Sequence, residues 1–332
     1  MATLNETMWS WKDYASQQDP DGMAARVIDI MSEENAIVED MYVMPGNKDY
    51  GLLTSQNATE PTVSIRGVNG TVTGTKGAFK QLEAHCALFT ALGQIDKELY
   101  NAATDKNGFR ANANKPFFNA MPKRIANELF YGSKANDAQS FDGLSQFYKS
   151  TTTDEFGEYV ALAGGTGTDN RSIWLIDWGE DSCCGTYPKN TVAGLQHTPY
   201  PETLVDMPDG SKWPALQDLW EWRVGVAVRD YRKVYRIANI SKAALKSINT
   251  TNDTAPNLFD LMIDALTWVN PSPRARFYGD RNIMSAFTKQ AFNKSNNLVS
   301  MEEIYGKKRV PSFMGVPIRR CDALDTDESL VS

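Results

Sequence analysis

Between residues 114 and 144 the sequence reads NKPFFNAMPKRIANELFYGSKANDAQSFDGL. Phe118, Met121, Ile125 and Leu129 recur at a spacing that puts them on one face of a helix. Asn114 stands where an N-cap belongs, and Pro116 falls in the first turn, which tolerates proline. Gly132 is the expected stop. The helix so predicted, 114–131, carries Pro122 in its interior, where the missing N–H and the clash with the preceding turn should kink it. The alternative is a helix that begins after Pro122. A polar loop follows Gly132 and closes on Phe141-Asp142-Gly143-Leu144. This order of helix, glycine stop, loop and Gly-Leu constrains the architecture more than any other stretch.

Residues 44–80 have a different character. They are rich in Gly, Thr and Asn, and two β-prone runs, 62–68 and 71–75, flank Asn69-Gly70. An Asn-Gly pair between such runs is a strong hairpin signal. Few of these residues are large and apolar, so the hairpin cannot make its own core. It has to lean on something else, and a neighbouring subunit is the natural support.

The chain has 332 residues, 42% hydrophobic and 23% charged, an ordinary globular composition with room for about two domains. No apolar run approaches the ~20 residues of a membrane-spanning helix, and the start lacks the pattern of a secretory signal. No membrane association is expected, and the protein is expected to stay in the cytoplasm where it is made. The net charge is −7, against the basic face of a nucleic-acid binder and in keeping with a container that must not stick to its contents.

Residues 1–20 read as a polar arm bearing Trp9 and Trp11. Asp19-Pro20 is expected to start a helix whose apolar stripe is Met23, Val27, Met31, Ile37 and Met41. Residues 82–100 read as a further helix. Residues 172–178 and the two runs within 224–240 read as strands around a long loop, 179–219. Segments 257–269 and 281–293 read as helices, the second capped by Asp280. A strand at 313–324 follows, entered through Gly315-Val316-Pro317, and residues 325–332 look like a frayed tail.

The search for chemistry finds little. The four cysteines lack CxxC spacing, so a zinc site is not expected. His85 is read inside the 82–100 helix beside Cys86, where the two side chains would point apart. His197 is read as solvated in the long loop. Gly164-Gly165-Thr166-Gly167-Thr168 precedes a strand, the reverse of a phosphate-binding loop, and reads as a turn. The rival to a purely structural reading uses two clusters: Trp174, Asp177, Trp178, Glu180 and Asp181, then Trp213, Trp220, Glu221 and Trp222. Aromatic platforms with paired carboxylates are what glycan binding or cleavage needs. A glycan-binding or glycan-depolymerising protein is therefore the alternative function. Strand alternation would put Trp174, Ile176 and Trp178 on one face and Asp177 on the other, which favours tryptophan as core filler.

Taken in order, the arm, the coreless hairpin at 45–82, the helix ending Phe-Tyr-Gly, the Phe141-Asp142-Gly143-Leu144 turn and the Gly315-Val316-Pro317-Ile318 strand with Asp322 resemble the major capsid proteins of tailed bacteriophages, in particular short-tailed phages of the epsilon-fifteen and Bordetella type. The resemblance spans most of the chain. It implies an α+β fold: an N-terminal arm (1–44), an extended loop (45–83), a peripheral domain (84–250) built on the spine helix, and an axial domain with the closing strand (251–332). Because the strands at 171–240 precede the two-helix segment, a permuted order of peripheral strands and axial domain is expected. The implied function is self-assembly into hexamers and pentamers of an icosahedral shell around double-stranded DNA, without catalysis, cofactor or metal. Implied partners are copies of the chain, a separate scaffolding protein, a portal, a decoration or cement protein, and packaged DNA held without sequence-specific contacts. Trp9, Trp11, Tyr50, Arg66 and Lys76 are the candidate inter-subunit contacts. Phe118, Met121, Pro122, Ile125 and Leu129 define the spine. About forty residues precede the hairpin, too few for a fused scaffolding segment, so a separate one is expected.

Overall fold

The computed structural model describes residues 9–16, 34–152, 155–207, 210–241, 245, 257–291, 299–304, 308–325 and 327–332. The helix start expected at Asp19, with Met23, Val27 and Met31, lies outside these residues.

Short helices α1 (Trp11–Ser16) and α2 (Ala36–Asp40) precede four strands, β1 (Val43–Pro45), β2 (Gly51–Thr59), β3 (Ala78–His85) and β4 (Ala87–Asp96). Helices α3 (Lys97–Ala102), α4 (Lys106–Tyr131) and α5 (Leu144–Phe147) follow. Then come β5 (Val160–Leu162), β6 (Arg171–Asp177), β7 (Cys183–Tyr187), β8 (Gln196–Asp206), β9 (Lys212–Val228) and β10 (Val234–Ile240). The chain ends with α6 (Leu258–Val269), β11 (Ala275–Gly279), α7 (Arg281–Ala291), β12 (Val299–Ile304), β13 (Lys308–Phe313) and β14 (Val316–Arg320).

The strands form three groups. A five-stranded sheet runs β1-β7-β9-β4, with β8 also paired to β9. A seven-stranded sheet runs β12-β13-β14-β11-β6-β10-β5. The third group is the β2–β3 hairpin. Strands β6 and β10 are buried along their whole length, which explains their near-continuous apolar sequences, SIWLI and VYRIANI. They share a sheet with β11 and β14, next to α6 and α7. The two-helix segment therefore has no sheet of its own, and residue 250 does not divide the sheets. The chain instead passes back and forth between them.

Helix α4 is 26 residues long, about 39 Å at the usual rise. It starts well before Asn114: Asp105 is the cap and accepts from the Gly108 amide at 2.9 Å. Pro116 thus sits in the interior, and the helix runs on through Pro122 rather than starting after it. Gly, Asn and Pro in this half are poor helix formers, and tertiary packing overrides them. Phe109 and Ala113 are buried with Tyr14, Ile95, Leu99 and Ala103 in a small core of their own. Ile125 and Leu129 face the main core and Met121 is buried as expected, whereas Phe118 is 56% exposed and meets Trp220 edge-on.

The turn after α4 explains its two glycines. A Cβ on Gly132 would lie 2.5 Å from the Phe141 carbonyl oxygen, and one on Gly143 would lie 2.7 Å from that of Glu128. The two backbones meet directly, Gly143 N–H donating to Gly132 O at 2.9 Å. Asp142 accepts from the Lys134 amide at 3.0 Å and closes the loop from inside.

Four expectations change. Residues 313–324 are the end of β13, a turn at Met314-Gly315 and β14, not one strand. Residues 82–100 are strands β3 and β4 plus the start of α3, not one helix. The loop 179–219 holds β7, β8 and the start of β9. The tail is docked: Asn239 and Val331 exchange two hydrogen bonds at 2.7 and 3.0 Å, and Ser332 O accepts from the Thr151 amide at 2.9 Å.

Candidate assembly surfaces

The hairpin is the largest unsupported feature. Its paired arms are β2 and β3, outside the runs that the sequence suggested. The distal part, 60–77, holds no strand and turns at Asn69, where φ is 65° and the Gly70 amide donates to Gly67 O at 3.1 Å. Every residue from 59 to 76 is exposed. This includes Val63, Ile65 and Val68, each almost fully open to solvent. Val72 and Phe79 are exposed too. Isolated exposed apolar residues are ordinary, but a run of them on a projecting ribbon makes it a candidate contact surface. Arg66 and Lys76 lie on this ribbon, in solvent.

The root of the hairpin is tied more firmly. Lys48 Nζ reaches Glu83 at 2.8 Å, and Tyr50 OH donates to the same carboxylate at 2.8 Å. These contacts raise the Lys48 ammonium and lower the Glu83 carboxyl. His85 stacks on Tyr50 at 5.4 Å at the end of a strand, not inside a helix. Tyr50, a candidate contact, therefore belongs to the root and not to the tip. In the arm, Trp9 packs edge-on against Phe109 at 6.3 Å within the same chain, while Trp11 points outward.

A second ribbon, β8–β9, projects from the five-stranded sheet with Leu204 exposed near its tip. Strand β4 is an edge on the other side of β9, and Leu88 and Leu92 lie open on one face of it. The sequence reading missed both surfaces. Leu88, Leu92 and Ile95 satisfy the i, i+4, i+7 spacing of a helix, and Pro199 and Pro201 suggested a loop although an edge strand tolerates them.

This ribbon is fastened to α4 through Asp218, which is 1% exposed. Arg110 donates to both its oxygens, at 2.9 and 2.8 Å, and Asn114 donates at 3.0 Å. His197 Nε2 lies 2.7 Å away, its ring stacked on Trp220 at 4.1 Å, so this histidine is not simply solvated. Burial pushes the Asp218 carboxyl up, but the hydrogen bonds from Arg110, Asn114 and His197 outweigh it and the net shift is downward. A depressed carboxyl contributes stability above its unfolded value, 3.8, and loses it as pH falls through the lower folded value. Asp218→Asn should therefore flatten the acid limb of the stability curve below about pH 4. An unchanged limb in an acid-unfolding titration would show that Asp218 does not set it.

The chemical alternatives find no support. Trp174 and Trp178 are fully buried, and Trp178 Nε1 donates to Tyr278 OH at 2.8 Å. Asp177 is occupied by the Ser272 amide at 3.1 Å and by Lys233 at 3.5 Å. Trp174, Trp178 and Asp177 are thus core, while Glu180 and Asp181 lie exposed, so the first cluster does not form an aromatic platform with paired acids in an open cleft. None of the four cysteines forms a disulfide, and burial pushes the Cys183 and Cys184 thiols up, away from reactivity. Among the described residues no cluster of His, Cys, Asp and Glu could hold a metal, and no helix is long and apolar enough to cross a membrane.

Comparison with known proteins agrees with this geometry. The family model described as major capsid protein GP7 matches residues 19–332. A chain in the near-atomic structure of bacteriophage Epsilon15 is 27% identical, with 100% of each chain covered and a TM-score of 0.79. The capsid of bacteriophage JBD30 shares the fold at 11% identity and a TM-score of 0.53, over 90% of this chain and 93% of that one. No curated protein matches the sequence.

Proposed function

This chain belongs to the major capsid protein GP7 family, and from that premise we propose how it builds its shell. Its role is structural, not enzymatic: it is a component of a tailed-phage virion capsid and assembles from copies of itself. The carrying observation is the hairpin, whose exposed apolar residues find no partner surface in their own subunit. In our reading it reaches over a neighbour, as does the arm, within hexamers and pentamers of an icosahedral shell enclosing double-stranded DNA. The five-stranded sheet with α4 forms the peripheral part, and the seven-stranded sheet with α6 and α7 forms the axial part that meets its copies at the capsomer centre.

Such contacts are heterologous, each subunit using different patches toward its two neighbours. Heterologous contacts give rings when the rotation closes and open assemblies when it does not. They do not by themselves fix the size of a closed shell, which supports a separate scaffolding protein as a guide. We further propose a portal at one vertex, a decoration or cement protein outside, and assembly in the host cytoplasm. The net charge of −7 suits an inner wall that holds DNA without sequence-specific binding.

The test is negative-stain imaging of the chain expressed alone. Rings, tubes or irregular particles are expected. Uniform closed shells would remove the scaffolding partner and leave the shell role standing, whereas a stable monomer at high concentration would overturn the shell role.

A further inference from the structure

Among the described residues, five other than glycine have positive φ: Asn69, Asn190, Asn239, Asn270 and Met314. Four are asparagine, the residue that best tolerates the left-handed region after glycine. The fifth is a methionine, with φ 49°. It is followed by Gly315 at φ 84°, and Phe313 pairs with Val316 on either side. Two central residues at positive φ are the pattern of a type I′ hairpin turn, for which Asn-Gly is the favoured sequence. Met-Gly breaks that preference. Nothing inside the subunit compensates, because Met314 is 58% exposed. Where a local rule is broken without an internal gain, function is the place to look.

The surroundings point to a contact. The tip reads PSFMGVP, without a charge, and Met314 and Gly315 are its exposed residues between flanks buried in the subunit. Interface cores are depleted in charge and enriched in methionine, whose flexible thioether fits irregular apolar surfaces.

We propose that Met314, at the β13–β14 turn, is a contact residue that buries its side chain against an apolar patch on a second copy of this chain in the assembled shell. This rests on the shell reading above, since that is what supplies a second copy. It adds a contact separate from the hairpin and the arm.

Two measurements test it. Peroxide oxidation of Met314, followed by peptide mass spectrometry, should be about fivefold or more slower in purified particles than in free subunits. Met314→Asn should raise the melting temperature of the free subunit by about 2 °C, by placing the favoured residue in the turn. The same variant should lower particle yield several-fold. That combination separates a contact role from a folding role. Equal oxidation in subunits and particles, or normal assembly of the asparagine variant, would overturn the proposal while leaving the shell reading intact. If the unmutated chain gave no particles at all, the shell reading itself would fall, and this contact with it.

Discussion

Glu328→Ala is expected to destabilise the subunit by about 3–5 kcal/mol, because it strands a buried arginine. Arg236 is 4% exposed, in the middle of β10. Its guanidinium donates to Glu328 Oε2 at 2.9 Å, to Ser172 Oγ at 3.1 Å and to the Tyr148 carbonyl at 2.8 Å. It also lies over the Trp174 ring, 5.0 Å from the centroid. Ser172 and Tyr131 donate to the same carboxylate. The Tyr131 phenol is pushed up by its burial and by the Glu328 charge, so it stays a donor. The network therefore joins α4, β6, β10 and the last residues of the chain around one carboxylate. With total stabilities of about 5–15 kcal/mol, losing it would leave little folded protein. Glu328→Gln keeps the shape and loses the charge, and should fall between. Arg236→Met combined with Glu328→Leu should recover much of the loss, since a buried ion pair replaced by apolar residues is often neutral. Urea unfolding of the four proteins checks this. A Glu328→Ala variant within about 0.5 kcal/mol of the parent would mean the network is ornamental.

That network also shows where the sequence stops being legible. DTDESLVS looks like a solvated tail, because three acids in eight residues carry no apolar period. The partner that pulls Glu328 inside stands 92 residues away, and no local pattern announces it. The same holds for Asp218, whose partners come from α4 and β8. Local signals did better where the physics is local. Asp280 caps α7 as read, accepting from the Ile283 amide at 2.7 Å, and the helix read from Asn257 starts one residue later because Asn257 is its cap, accepting from the Phe259 amide at 3.1 Å. Asn69-Gly70 marks the hairpin turn. Gly132 and Gly143 mark a loop closure that only glycine permits. Sheet membership was not legible: β6 and β10 read as strands, but their place beside β11 depends on contacts across most of the chain.

Replacing Val63, Ile65 and Val68 together by serine should leave the free subunit as stable as before and abolish assembly. In the isolated chain these side chains touch water, so their loss costs the fold nothing beyond the ±0.5 kcal/mol of ordinary surface changes. Buried against a neighbour, each would contribute about 1.5–3 kcal/mol, so the three supply roughly 4–9 kcal/mol per contact. Each 1.4 kcal/mol is about a tenfold change in an equilibrium constant, so the concentration needed for assembly should rise by several orders of magnitude. Repetition around a closed ring amplifies the loss, as multivalency amplifies affinity. Hydrogen exchange gives an independent reading of the same contact. Segment 60–77 makes few backbone hydrogen bonds of its own, so its amides should exchange fast in free subunits and slowly in particles. Light scattering against protein concentration would locate the assembly threshold of parent and triple variant. A triple variant that assembled at the parent's threshold, or amides in 60–77 that exchanged at one rate in both states, would mean that the hairpin does not hold neighbours together.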